Sequence, residues 1–187
     1  MSPPINVQRL IFRLLPAIIS VGCSSGNDSK STPVDWTVGR GTAACHEWQK
    51  AFCERQSTCG GVDLVTCANQ LQTVTCASDA TAANCATSIT AATCSTATSG
   101  CNISDVADTA WAIQSCTDYL TAACTHDANC GSGIAVDTCV ANLQSSSSCA
   151  GALGVKLKYE SCLAQINAAT CTTTLPADCK SLIYIGS

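Results

Sequence analysis

Large side chains are scarce in this sequence. Three tryptophans, three tyrosines, two phenylalanines and one methionine are spread over 187 residues. A chain so poor in bulky groups buries little apolar area per residue, which excludes a large hydrophobic core as the main source of stability. Charge is also sparse, with nine bases against thirteen acids and a formal net charge of −4. That balance lacks the basic footprint of a nucleic-acid binder and the polybasic stretch of an electrostatic membrane contact. C-x-x-C is missing, and so is the C-x-x-C-H of haem attachment. The closest cysteines have five residues between them, outside the two-to-four spacing of zinc ligand pairs. G-x-S-x-G is absent as well, so no serine announces itself as a nucleophile.

What the chain has is cysteine, 17 in all. At this density, in so small a chain, cysteine reads as a secreted disulfide scaffold rather than a cytosolic enzyme. The N-terminus agrees. Arg9 and Arg13 supply a basic region, and Leu14–Val21 a short apolar stretch. Gly22 and Cys23 follow, a pattern too short for a membrane span. Ser20-Val21-Gly22-Cys23 resembles a bacterial lipobox, which implies a diacylglyceryl group on Cys23 and a mature chain beginning there. Ser24 in the next position implies outer-membrane sorting by the same resemblance. The polar run from Ser24 to Pro33 has no packing capacity and reads as a tether. The expected organisation is a signal peptide over residues 1–22 and a lipidated flexible tether over 23–41.

Setting Cys23 aside leaves sixteen cysteines in two sets of eight. The first is Cys45, Cys53, Cys59, Cys67, Cys76, Cys85, Cys94 and Cys101. The second is Cys116, Cys124, Cys130, Cys139, Cys149, Cys162, Cys171 and Cys179. Intervening lengths are 7, 5, 7, 8, 8, 8, 6 in the first set and 7, 5, 8, 9, 12, 8, 7 in the second. Trp48 aligns with Tyr119, Cys59-Gly60 with Cys130-Gly131, and Leu71-Gln72 with Leu143-Gln144. The stretch from Cys85 to Cys94 matches that from Cys162 to Cys171, with Ile89/Ile166 and Ala-Ala-Thr-Cys in register. This is an internal duplication. It predicts two modules, over residues 42–102 and 105–187, each a folding unit.

Each module reads as three short helices, giving an all-α fold of two tandem three-helix modules with about four disulfides apiece. Cys45, Trp48, Phe52 and Cys53 lie on one helical face, as do Cys116, Tyr119, Leu120 and Cys124. Gly60-Gly61 and Gly131-Ser132-Gly133 break that first helix. Asp63 is placed to cap a second helix carrying Leu64, Cys67, Ala68 and Leu71; strand is the competing reading for residues 62–75. The third helix is expected over residues 80–94 and 156–171.

Helix geometry sorts the cysteines. Nine helical residues span about 13 Å, whereas a disulfide needs Cα atoms within about 7 Å. With helices running up, down and up, Cys53, Cys59, Cys67 and Cys94 gather at one end. Cys45, Cys76, Cys85 and Cys101 gather at the other. The favoured nested pairs are Cys45–Cys76 and Cys53–Cys67, provided the second helix stops before Cys76. The second module divides alike: Cys124, Cys130, Cys139 and Cys171 against Cys116, Cys149, Cys162 and Cys179.

By this spacing, its Ala/Thr/Cys-rich composition and the lipobox-like start, the chain resembles the cysteine-rich secreted lipoproteins of myxobacteria and related deltaproteobacteria. The resemblance covers roughly residues 10–187 and implies location and architecture, not an activity. No catalytic, cofactor or metal residues are expected. His46 and His126 fall at non-equivalent positions of the repeat, aligned with Thr117 and Arg55, and read as surface histidines. Asp127-x-Asn129-x-Gly131 lacks the glycine and the glutamate that complete a calcium loop, and reads as a turn. Glu47, Glu54 and Glu160 read as solvated helix residues. The expected role is a non-enzymatic interaction or structural module at the outer membrane or cell surface. Its partners would be the membrane, through the lipid on Cys23, and an envelope protein or glycan. A secreted inhibitor or enzyme accessory is the alternative reading, ahead of a hydrolase.

Sixteen cysteines beyond the anchor predict eight bridges and no free thiol. Alkylation of the oxidised, denatured protein should add no mass, whereas two or more adducts would show reduced cysteines. Each bridge removed should cost roughly 2–5 kcal/mol.

Overall fold

The first module is built on a helix that begins at a threonine and stops at a glycine. Thr42 accepts from the Cys45 amide to open α1, Ala43–Gly60, and Gly61 closes it at φ 67°, a left-handed conformation that glycine adopts without a side-chain clash. Asp63 accepts from the Thr66 amide and starts α2, Leu64–Leu71, so the helical reading of this segment holds. Ser78 caps α3, Asp79–Ala91. The computed structural model describes residues 33–147, 149–172, 179 and 182–185. Residues 1–22 and Cys23 lie outside these.

A single turn, α4 (Ile103–Val106), leads to the second module. There α5, Thr109–Asn129, repeats α1, and α6, Val136–Ser147, repeats α2. A 3₁₀ turn at Cys149–Gly151 precedes β1, Ala152–Val155. Then comes α7, Tyr159–Ala168, and finally β2, Ile183–Ile185, antiparallel to β1. The fold is all-α, two modules of three main helices with this one small ribbon added. The third helix of the second module is shorter than the expected 156–171: the turn that follows β1 delays its start to Tyr159, and extended backbone at Ala169 ends it, as Ala92 ends α3 before the expected residue 94. Among the described residues no helix is long and apolar enough to cross a membrane.

The bridges are Cys45–Cys76, Cys53–Cys67, Cys59–Cys94 and Cys85–Cys101 in the first module. In the second they are Cys116–Cys149, Cys124–Cys139, Cys130–Cys171 and Cys162–Cys179. The connectivity is the same in both: first to fifth, second to fourth, third to seventh, sixth to eighth. No bridge joins opposite ends of the helices. Cys45 reaches Cys76 because α2 ends at Leu71 and the chain turns before the fifth cysteine. The cysteines are much of the core. Cys45, Cys53, Cys67, Cys85 and Cys101 sit with Trp48, Leu71, Val74, Ile89 and Val106 in the first module. Cys116, Cys149, Cys162 and Cys179 sit with Leu120, Val155, Tyr159 and Leu182 in the second.

Two boundaries move. Val106 and Ala107, expected in module two, are buried in the core of module one. After Cys101 the chain folds back as α4 and bonds to the segment at Cys76: Ala77 N–H donates to Val106 O at 2.9 Å and Asp108 N–H to Thr75 O at 2.7 Å. Module two therefore starts at Asp108, the cap of α5. The expected tether also ends early. Gln72 Nε2 donates to Asp35 O at 2.7 Å, Trp36 packs on the first core, and Arg40 N–H donates to Gln72 O at 2.9 Å. A tryptophan and backbone hydrogen bonds convert the last residues before α1 into packed chain.

The modules meet along β1, within one compact unit, Val34–Ser187. Val155 N–H donates to Thr73 O at 2.8 Å, and Tyr184 of β2 packs against the first module's core. Gly154 lies flat on Thr73: a Cβ there would stand 2.7 Å from Thr73 O and 2.8 Å from its Oγ1. Gly154→Ala should therefore push the seam apart at a cost of about 1–3 kcal/mol. Urea unfolding should show a lower midpoint while peptide mapping shows all eight bridges in place. An unchanged midpoint would mean that the seam does not contribute.

Candidate functional site

The duplication places matching polar contacts at matching points of the two modules. On α1, Trp48 is fully buried and its Nε1 points at Cys101 O, at 3.5 Å. On α5, Tyr119 OH donates to Cys179 O at 2.8 Å. In each module the aromatic three residues after the first cysteine thus holds the carbonyl of the eighth. Burial raises the Tyr119 pKa above its ordinary value, which keeps the phenol protonated as that donor. Two residues after the second cysteine the pattern repeats with a basic residue. Arg55 Nη2 donates to Thr96 O at 2.5 Å, and His126 Nε2 lies 3.3 Å from Thr170 O. Both tie the first helix of the module to the chain beyond its third.

His126 is therefore not the freely solvated histidine expected from the repeat alignment. Its side chain is 15% exposed. Nδ1 is 3.4 Å from Asp127 Oδ1, and Nε2 is 3.8 Å from Cys130 Sγ. His46 is half-buried, and its Nε2 has no hydrogen-bond partner among the described residues. Asp127 and Asn129 belong to the last turn of α5 rather than to a loop, so their carboxylate and carboxamide do not wrap a common centre.

A recess opens on the surface of the first module. It is a shallow groove of about 610 Å³ between α1 and α3, lined by Ala44, Glu47, Ala83, Ala86, Thr87, Thr90 and Ala91. Thr87 and Thr90 donate their hydroxyls back to Ala83 O at 3.0 Å and Ala86 O at 2.8 Å, so their polar atoms are satisfied within α3. Glu47 is the one ionisable lining residue. A single carboxylate facing an open, largely apolar trough supplies neither an acid–base pair nor a nucleophile with its base. Such a trough can bind; the groups for bond-breaking are not in it.

The densest electrostatic cluster sits at the seam. The Arg40 side chain is 13% exposed and uses every guanidinium nitrogen. Nε donates to Val155 O at 2.6 Å, Nη2 to Lys156 O at 2.8 Å, and Nη1 and Nη2 to the two Glu160 carboxylate oxygens at 2.7 Å each. The guanidinium carbon lies 5.0 Å from the centre of the Trp111 ring. Glu160 is consequently not an ordinary solvated glutamate, although its side chain is 60% exposed. The sequence holds no sign of this pair, because 119 residues stand between its members. Behind Arg40 lies Gln49, fully buried, with Nε2 donating to Val74 O at 2.9 Å and to Arg40 O at 3.3 Å. The equivalent position in module two is Leu120, an apolar solution to the same packing problem.

No family model, no curated protein and no solved structure matches this chain.

Hydrogen bonds from Arg40 are the main cause holding the Glu160 carboxyl below its ordinary pKa of 4.5, partly offset by burial. A depressed folded-state pKa adds stability that is complete above the unfolded value and lost as pH falls through the folded one. Stability should therefore decline from about pH 4.5 downward. Asp35, bonded to Thr37, and Asp63, bonded to Thr66, act in the same direction. Arg40→Met should cost about 2 kcal/mol at neutral pH, a value kept low by the exposure of Glu160. It should also flatten the acid limb of the stability curve. Wild type and variant with parallel acid limbs would show that the pair carries no linkage.

Proposed function

We propose that this chain is an exported, lipid-anchored envelope protein whose paired modules act as a non-enzymatic interaction or structural element. The observation that carries this reading is the duplicated framework in which all sixteen cysteines after Cys23 are bridged. Bridges at this density belong to oxidising compartments outside the cytosol. The lipobox-like Ser20–Cys23 and the polar run behind it supply the anchor, and the even number of remaining cysteines leaves Cys23 free for acylation. The open α1–α3 groove and the acidic, weakly charged surface fit binding better than catalysis. A protein or glycan of the envelope is the partner class consistent with that location.

Labelled palmitate should be incorporated by the full chain in a Gram-negative host and not by Cys23→Ala. Equal labelling of the two, or none of wild type, would reject the anchor. Pull-down from envelope extract with the lipid-free protein, residues 34–187, tests the second half of the reading. Recovery of a partner that is lost when the α1–α3 groove is filled by Ala86→Trp would support it. Hydrolytic activity abolished by a single acid or histidine substitution that leaves the fold intact would replace it with an enzyme.

A further inference from the structure

The eight bridges are not equally shielded. Six include at least one buried cysteine, and the two that include none are the third-to-seventh bridges, Cys59–Cys94 and Cys130–Cys171. Cys171 is exposed and Cys130 half-buried. Only the second of these bridges carries an imidazole contact: His126 Nε2 lies 3.8 Å from Cys130 Sγ. The first module has Arg55 at the equivalent place, with Nη2 committed to Thr96 O.

We propose that Cys130–Cys171 is a thiol-exchange site, with His126 as the positioning residue that selects which sulfur leaves. An incoming thiolate attacks at Cys171, the exposed member of the pair. A bond forms between the attacking sulfur and Cys171 Sγ, the Cys130–Cys171 bond breaks, and the electron pair stays on Cys130 as a thiolate. Cys130 caps the C-terminus of α5, where the helix carbonyls disfavour a negative charge. The Nε2–H of His126, which in the closed bridge lies 3.3 Å from Thr170 O and 3.8 Å from Cys130 Sγ, offsets this by shifting its hydrogen bond to the departing sulfur. With a monothiol the reaction stops at a mixed disulfide on Cys171 and one thiol on Cys130. With a dithiol, its second sulfur attacks the mixed disulfide, Cys171 is released as a thiolate, and the dithiol ends as a disulfide, having passed two electrons to the bridge. The module then keeps its three buried bridges. Cys130–Cys171 has the largest sequence separation of the bridges in its module, 41, but Cys139, Cys149 and Cys162 inside that loop stay pinned by the other three bridges, so its opening loosens the module without unfolding it.

The test uses the oxidised mature protein with glutathione as the monothiol, acid quenching and peptide mapping. The first adduct should be on Cys171, with the free thiol on Cys130, and should form before any adduct at Cys59–Cys94. His126→Leu should slow that step about five-fold, while His126→Gln, which keeps an N–H donor, should restore most of the rate. Far-UV circular dichroism and the other seven bridges report whether each variant is folded. If His126→Leu misfolds, the position of the adduct and the order of reaction in wild type still decide the matter. A buried bridge opening first, an adduct on Cys130 rather than Cys171, equal rates at the two exposed bridges, or no effect of a folded His126→Leu would each overturn the proposal.

Discussion

Cross-linking is the constraint on which everything else in this fold rests. Cysteine and alanine make up much of the interior, and the large buried groups are few: Trp48, Leu71, Val74, Ile89 and Val106 in one module, Leu120, Val155, Tyr159, Ile166 and Leu182 in the other. Small side chains allow helices to approach closely but contribute little burial free energy. The bridges supply what burial does not, by restricting the unfolded chain. In return they dictate the helix lengths. α1 carries three cysteines and α5 two with a third, Cys130, at its C-cap, and each of these must arrive within disulfide distance of a different part of the chain. The long helix therefore acts as a ruler against which the rest of the module is pinned at both ends.

Duplication then lets the two modules be read against each other. The bridge pattern is held, while the polar contacts around it are exchanged for others that do the same work. Trp48 and Tyr119 each reach the eighth cysteine's carbonyl with a different donor. Arg55 and His126 each reach beyond the third helix with a different base. Gln49 is answered by Leu120. The modules diverge where the spacer lengthens, and the four added residues between the fifth and sixth cysteines of module two provide room for β1, the strand that faces module one.

Much of this was legible in the residues, because it depends on spacing alone. The module count, the helical periodicity, the Asp63 cap, the glycine stops and the division of the cysteines between two ends all follow from positions along the chain. What spacing does not carry is whatever joins distant segments through groups of ordinary composition. Arg40 looks like one more residue of a polar leader, and Glu160 like one more acid on a helix; nothing local announces their pairing. The β ribbon was hidden for a similar reason, since Ala152–Val155 is a short apolar run without alternation. Val106 and Ala107 lie beyond the last cysteine of the first set, so cysteine spacing groups them with the second module although they belong to the first core. His126 has no histidine counterpart in the repeat; what the position shares with Arg55 is a basic group that reaches across the module.

Tyr184 gives the architecture a direction in time. It lies on β2, near the end of the second module's chain, yet it packs on the core of the first. The ribosome makes the first module in full before it makes any of the second, but that module's surface is closed by a side chain synthesised some eighty residues after its last cysteine, Cys101. Until then the patch that Tyr184 covers stays open to other chains. The first half of the protein is thus the earlier to be made and the later to be finished.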